Sequence, residues 1–198
     1  MSRKFRPILF NMTPLDIAAL QKRIGVEPDG FWGPVSTAAA QKHLRAMMPV
    51  PARWPKTDQT SLSETYGGAG DEAMLVSFPC PVPMQYEKQP VKTLRCHHKV
   101  KDSLIRVLRA IYADGKYQWV LDQYAGIYNN RTMRGGSTPS LHARGAAIDL
   151  DPEYNGNHAH WPTQARMPIE VMEYFAREGW MPAGAFWSRD AMHFQATQ

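Results

Sequence analysis

The stretch that decides the fold is SLHARGAAID, residues 140–149, which places a histidine, a glycine and an aspartate in one short segment. Residues 146–151 predict a strand because apolar and acidic side chains alternate there. A separation of seven residues would put His142 and Asp149 on opposite faces of one straight strand. Gly145 permits a bend. We therefore expect His142 in a loop before the strand, facing the same point as Asp149.

A second pair of candidate site residues, Asp190 and His193, lies near the C-terminus. Two histidines and a carboxylate supply nitrogen, nitrogen and oxygen ligands, a set that zinc accepts while keeping a fourth position for water. His142, Asp149 and His193 are therefore candidate metal ligands. Asp190 lies three residues before His193 and could take a proton from a metal-bound water and deliver it to a leaving amine.

Two residues upstream have the chemistry to hold a substrate. Arg131 could supply fixed positive charge for a substrate carboxylate or for a developing oxyanion. Ser140 could orient the substrate by hydrogen bonding. Arg134 is an alternative to Arg131 as the functional arginine.

Other side chains compete for these roles. Asp151 is an alternative to Asp149 as the carboxylate ligand, and composition alone does not separate the two; the one that is not a ligand would support the site or lie on the surface. His158 and His160 have metal-binding spacing, yet their Asn/Gly-rich context predicts a solvated loop. We expect His97–His98 to be a surface pair and His43 to lie on a solvated helix face.

The pattern S-x-H-x-x-G-x-A-x-D, followed by D-x-x-H-F at residues 190–194, resembles the zinc D-Ala-D-Ala carboxypeptidase and L-alanyl-D-glutamate endopeptidase family of cell-wall peptidases. The resemblance covers residues 75–198. It implies that His142, Asp149 and His193 bind zinc, that Asp190 is the catalytic base, and that Arg131 holds the substrate. Asp rather than Glu at the base position points to the endopeptidase members.

The N-terminal residues predict two helices, over 13–25 and 34–47, joined by a turn-rich block. The apolar face of the second helix is predicted to be Val35, Ala38, Ala39 and Ala46. The segment LQKRIGVEPDGFWGPVSTAAAQKHL, residues 20–44, resembles the small helical peptidoglycan-binding module with its D-G-x-x-G-P-x-T pattern. The alternative is a helical hairpin that packs on the rest of the chain and binds nothing.

Composition places the chain among globular proteins. It has 198 residues and a formal net charge of +5, of which residues 1–45 contribute 7 − 3 = +4 and the rest 16 − 15 = +1. We find no apolar run of about 20 residues, as a membrane span requires, and no signal-peptide core. We expect a chain that stays in the host cytoplasm before lysis, as phage endolysins do. Two cysteines without a CxxC pattern argue against a disulfide framework.

The remaining pattern predicts an α+β protein. We expect a peptidoglycan-binding module at 1–47, a linker at 48–74, and a peptidase domain at 75–198 with a central, mostly antiparallel sheet flanked by helices. Predicted elements of that domain include a helix that ends at Gly115, a strand over 117–124, a helix over 168–177 and a final strand over 193–196.

The leading hypothesis is a zinc peptidase of the endolysin type that cleaves the L-Ala–D-Glu bond of peptidoglycan. The expected partner is bacterial peptidoglycan, with no nucleic acid and no membrane insertion, and nothing in the sequence requires more than a monomer. The alternatives are a D-Ala-D-Ala carboxypeptidase, an inactive wall-binding or virion protein, and a non-haem iron oxygenase, which also uses two histidines and a carboxylate.

Overall fold

The computed structural model describes residues 10–133 and 135–198. The α-helices are α1 (Pro14–Ile24), α2 (Pro34–Met47), α3 (Gln59–Tyr66), α4 (Lys101–Asp114), α5 (Gln118–Leu121), α6 (Pro152–Asn155), α7 (Ile169–Arg177) and α8 (Ala183–Trp187). The strands are β1 (Leu75–Pro79), β2 (Gln85–Tyr86), β3 (Gln89–Pro90), β4 (Thr93–His97), β5 (Tyr124–Gly126), β6 (Ala147–Leu150), β7 (Met181–Pro182) and β8 (His193–Gln195). Short 3-10 turns occupy Glu72–Met74 and Leu141–Arg144. The α+β prediction is confirmed.

The N-terminal hairpin, formed by α1 and α2, has the predicted boundaries. Thr13 and Asp16 form a reciprocal capping box at the start of α1, and Gly25 ends the helix with a left-handed backbone. The predicted face of α2 is wrong, because Val35 is 74% exposed and the buried residues are Ser36, Ala40 and Leu44. Three of the four predicted residues were alanines, which give little directional signal.

The turn between α1 and α2 is built around Gln21. Its side-chain amide donates to the Asp29 carboxylate at 2.7 Å and to the Ser36 hydroxyl at 3.0 Å, and its carbonyl oxygen accepts from the Gly30 backbone at 2.9 Å. The Gly30 backbone is left-handed, as this turn requires. These motif residues therefore serve the fold of the hairpin, while Phe31 beside them is exposed.

The N-terminal hairpin packs on α7 and α8 through a buried carboxylate. Glu173 on α7 receives two N–H groups of Arg23 at 2.8 Å each and contacts His43 Nε2 at 2.9 Å. The prediction that His43 lies on a solvated face is therefore wrong. Gln41 adds a bond to the carbonyl oxygen of Ala185 at 3.1 Å.

The segment 48–74 also packs against the C-terminal half of the chain. The Trp54 indole donates to the Glu178 carbonyl at 2.9 Å and contacts Trp180 edge-on. Tyr66, at the end of α3, is buried and donates its hydroxyl to the Ala196 carbonyl at 2.6 Å. This segment thus carries its own helix and contributes to the core. The three-part division of the chain stays a prediction.

The central sheet of the C-terminal half has four antiparallel strands in the order β5-β6-β8-β7, and β1 pairs with β4 in a separate hairpin. Helix α7 covers the sheet, with Phe175 stacked on Phe194 of β8, and α4 contacts α7. The predicted strand over 117–124 is wrong, because α5 occupies half of it and pairing begins only at Tyr124. Within the described residues, no helix has the length and apolarity to span a bilayer.

Candidate metal centre

The turn before β6 positions the first histidine, as the sequence predicts. Ser140 caps the Leu141–Arg144 turn, and its hydroxyl accepts the His142 backbone N–H at 3.3 Å. Gly145 ends the turn with a φ of 64° and redirects the chain into β6. Asp149 on β6 then lies directly opposite His193 on β8. The bend and the strand pairing together bring three distant side chains to one point.

The three candidate ligand atoms meet at short distances. His142 Nε2 lies 3.1 Å from His193 Nδ1, and Asp149 Oδ1 lies 3.2 Å from the former and 3.0 Å from the latter. Both imidazoles are buried, and the carboxylate is largely so. Within residues 10–133 and 135–198, this is the single group of three or more His, Cys, Asp or Glu side chains close enough to hold one ion.

Hydrogen bonds on the far side of each ring determine which nitrogen atoms face the cluster. His142 Nδ1 lies 2.7 Å from the Ile127 carbonyl oxygen, and His193 Nε2 lies 3.1 Å from Gln195 Oε1. Because these oxygens accept hydrogen bonds, each neutral imidazole places its proton there and presents a lone pair to the cluster. Two lone pairs and a carboxylate oxygen then converge, and this arrangement fits a metal cation. Without a cation, these three acceptor atoms would face one another with no hydrogen-bond donor between them.

The electrostatics of the cluster favour a positive charge at its centre. Burial acts to raise the pKa of Asp149, but contacts with His142 and His193 outweigh burial and hold that pKa below its usual value. Burial acts to lower the pKa of His193, whereas Asp149 and Asp190 raise it, and the net change is upward. The carboxylate is therefore ionised and available as a ligand near neutral pH.

An open cleft of about 200 Å³ leads to the cluster, and its lining includes the other predicted site residues, Ser140, Arg131 and Asp190. The Arg131 guanidinium donates to the Thr132 carbonyl at 3.2 Å, and its backbone oxygen accepts from the Ser140 N–H at 3.0 Å. Asp190 accepts the His193 backbone N–H through its own carbonyl at 2.9 Å. Arg134, the alternative to Arg131, lies outside the described residues.

Several competing residues have other environments. Asp151 is fully buried, accepts hydrogen bonds from Nε and Nη2 of Arg166 at 2.8 and 2.9 Å, and is not part of the cluster. His158 and His160 are exposed, as predicted for a solvated loop. The prediction of a surface pair at His97–His98 is wrong for His97, which ends β4, is completely buried and contacts the Tyr66 ring edge-on.

Sequence reasoning missed two residues that contribute to the site, Gln195 and Arg189. Gln195 orients His193, and its position two residues later on the same strand face was an available signal. Trp187 stacks on the His193 ring with centroids 5.5 Å apart and is 43% exposed at the cleft. Arg189 also lines the cleft, and no pattern in the sequence marks it.

Comparison with known families agrees with this geometry. A family model described as D-alanyl-D-alanine carboxypeptidase matches residues 134–196, about a third of the chain, and this span contains all three candidate ligands and Asp190. No curated protein and no solved structure matches the chain. Residues 134–196 are thus similar to D-alanyl-D-alanine carboxypeptidases, and the match implies a metallopeptidase.

Proposed function

We propose that this protein is a zinc-dependent endopeptidase that hydrolyses the L-Ala–D-Glu bond in the stem peptide of bacterial peptidoglycan. The observation that supports it most is the convergence of two imidazole lone pairs and one carboxylate oxygen within 3.2 Å of one another. That donor set suits zinc with a free coordination position. His142, Asp149 and His193 would hold the ion.

A bound zinc ion would supply Lewis acidity to the scissile carbonyl group and to the attacking water. Asp190, at the cleft beside His193, would accept the proton of that water and transfer it to the leaving amine. Arg131 would hold the free α-carboxylate next to the scissile bond through charge-assisted hydrogen bonds. Ser140 would act through the turn that it caps, and it also lines the cleft.

The bond cleaved distinguishes two candidates. The family description favours the D-Ala–D-Ala bond, whereas Asp rather than Glu at position 190 resembles the endopeptidase members. Both bonds place a free α-carboxylate on the residue that leaves, so Arg131 would serve either substrate. The D-Ala-D-Ala carboxypeptidase is therefore the second candidate.

Digestion of purified peptidoglycan would test the proposal. We expect the zinc-loaded chain to release fragments with new D-Glu amino termini, identified by mass spectrometry, and a chelator to abolish the release. Free D-alanine in place of those termini would instead favour the carboxypeptidase. No product from folded, zinc-loaded protein would contradict both candidates and favour an inactive wall-binding protein.

Metal analysis tests the ligand assignment separately. We expect one zinc ion per chain, lost together with activity in His142→Ala. His158→Ala is the matched control, because His158 is exposed in the adjacent His-x-His loop, and it should retain both zinc and activity. If His142→Ala keeps full zinc content and full activity, the proposed centre is wrong. Iron and dioxygen-dependent turnover would favour an oxygenase.

We further propose that the N-terminal hairpin binds the cell wall. Support comes from the motif at residues 20–44, the net charge of +4 in residues 1–45 and the exposed apolar side chains of Leu15, Phe31 and Val35. Sedimentation of the full chain with peptidoglycan should show binding that weakens as salt rises. Binding that is equal at low and high salt would contradict the role of charge.

A further inference from the structure

We propose that Arg189 is a second substrate-binding cation, and that the cleft selects peptides with two carboxylates, one held by Arg131 and the other by Arg189. This inference rests on the proposed peptidase function and specifies its substrate class. The two guanidinium groups line the same cleft as the candidate metal ligands. They come from separate segments, one before the Ser140 turn and one after α8.

Neither guanidinium is neutralised by a carboxylate within residues 10–133 and 135–198. Among those residues the Arg131 guanidinium bonds only to the Thr132 carbonyl, and the side chain of Arg189 has no hydrogen bond or ion pair. Elsewhere in the described residues, arginines form ion pairs: Arg23, Arg106 and Arg166 each bind a carboxylate with two nitrogens. Two cations without such partners in one cleft indicate that a ligand supplies the anions.

The charge balance of the cleft points to a dianion. Among the residues that the structure describes, its lining contains two arginines, Arg131 and Arg189, and two acidic residues, Asp149 and Asp190. These charges cancel when both carboxyl groups are ionised, so a divalent cation at the cluster would leave an excess of two positive charges. A peptide with a single carboxylate would compensate only half of that excess.

The backbone around Arg189 is fixed in an unusual conformation. Ser188 and Asp190 on either side both have left-handed φ angles of 58°, which cost energy for residues other than glycine. Backbone contacts with residues 160–161 hold the turn. The Trp161 backbone N–H donates to the Ser188 carbonyl at 3.1 Å, and His160 and Arg189 form an isolated antiparallel β-bridge. The position of Arg189 at the cleft is therefore set by the fold rather than by a freely moving loop.

The experiment uses three peptides of the sequence L-Ala-γ-D-Glu-L-Lys, acetylated at the N-terminus and at the lysine side chain so that carboxylates are their only charged groups. One has both carboxylates free, one has the D-Glu α-carboxylate amidated and one has the C-terminal carboxylate amidated. We expect each amidation to lower the kcat/KM of the wild-type chain about tenfold, the lower end of the effect of a charge-assisted hydrogen bond. Arg189→Gln should lose about as much on the diacid and become indifferent to one of the two amidations.

The matched control is Arg109→Gln, since Arg109 is an exposed arginine on α4 outside the cleft. It should discriminate among the three peptides as the wild type does. If Arg189→Gln also discriminates against both amidated peptides as strongly as the wild type, the inference about Arg189 is overturned while the peptidase function stands.

A binding measurement decides the inference even if no peptide is hydrolysed. The diacid peptide is titrated into the metal-free full-length chain and into metal-free Arg189→Gln, with calorimetry as the readout. Binding that is about tenfold weaker in the variant supports a carboxylate contact at Arg189, and equal binding overturns it. Absence of hydrolysis by the zinc-loaded wild type would contradict the proposed function alone.

Discussion

Replacement of Gly145 by alanine should destabilise the turn that carries His142. A Cβ atom at this position would lie 2.8 Å from the His97 backbone nitrogen and 2.6 Å from the Leu75 side chain. The leucine could move, but the His97 nitrogen belongs to β4 and donates to the Gly145 carbonyl at 2.9 Å. The Leu141–Arg144 turn would therefore have to move away from the β1–β4 pair.

Two contributions add to the cost of Gly145→Ala. The left-handed backbone, with φ of 64°, costs about 1–2 kcal/mol once a Cβ is present. Overpacking against β4 adds about 1–3 kcal/mol. We expect the free energy of unfolding to fall by about 2–5 kcal/mol in urea denaturation of the metal-free protein, and zinc affinity to fall about tenfold because the variant displaces a ligand-bearing turn.

Gly115→Ala is the matched control for Gly145→Ala. Gly115 has a similar φ of 75°, but no atom lies within 4 Å of the position that a Cβ would take. It should therefore show only the backbone cost of about 1–2 kcal/mol, with zinc affinity unchanged. Equal losses of stability in the two variants would refute the argument that β4 closes tightly on the turn.

Three further predictions concern buried ionisable side chains. Asp151→Asn should lower the free energy of unfolding by about 3 kcal/mol, because it leaves Arg166 without its carboxylate; unchanged urea stability would contradict this. Glu173→Gln should weaken the bond to Arg23 and accelerate hydrogen exchange in the N-terminal hairpin but not in β6; uniform acceleration would contradict local detachment. Burial lowers the pKa of His97 to about 4, so as the pH falls His97 is protonated in the unfolded chain at a higher pH than in the folded chain. Stability should therefore drop by up to about 3 kcal/mol between about pH 6.5 and pH 4, and His97→Asn should flatten that slope in denaturation series across this range.

The sequence predicts the fold best where a local signal and a tertiary contact agree. Both N-terminal helices have their predicted boundaries, and the helix before Gly115 ends where predicted. The Thr13 cap, the first-turn prolines of α1 and α2, and the left-handed glycines Gly25 and Gly115 mark these ends. The region 117–124 fails because Gln118–Leu121 alternates like a strand but forms one helical turn whose residues Val120 and Leu121 enter the core. Over so few residues, packing outweighs periodicity.

Within the site, the sequence predicts which residues meet but not their supporting contacts. A cluster could be predicted from the spacing of His142, Gly145 and Asp149 together with His193 near the C-terminus. The structure brings the three candidate ligands together. The acceptor for the His142 ring is a backbone carbonyl of Ile127, and any residue type could supply it. Partners of this kind leave no trace in residue identity, so a single sequence cannot reveal them.

The segment 48–74 shows why a linker composition does not establish an independent peptidase domain. Arg144 lies two residues after His142 on the same 3-10 turn, and its guanidinium donates to the Gly67 carbonyl at 3.1 Å and to Gln59 and Ser63 of α3 at 3.2 Å each. Burial lowers the pKa of this arginine, so these neutral acceptors are what stabilise it. Because the same turn carries a candidate metal ligand, α3 supports the metal centre from outside the predicted peptidase boundary. Asp58 and Gly67 cap the ends of α3, and the prolines and glycines around it do not separate it from the site.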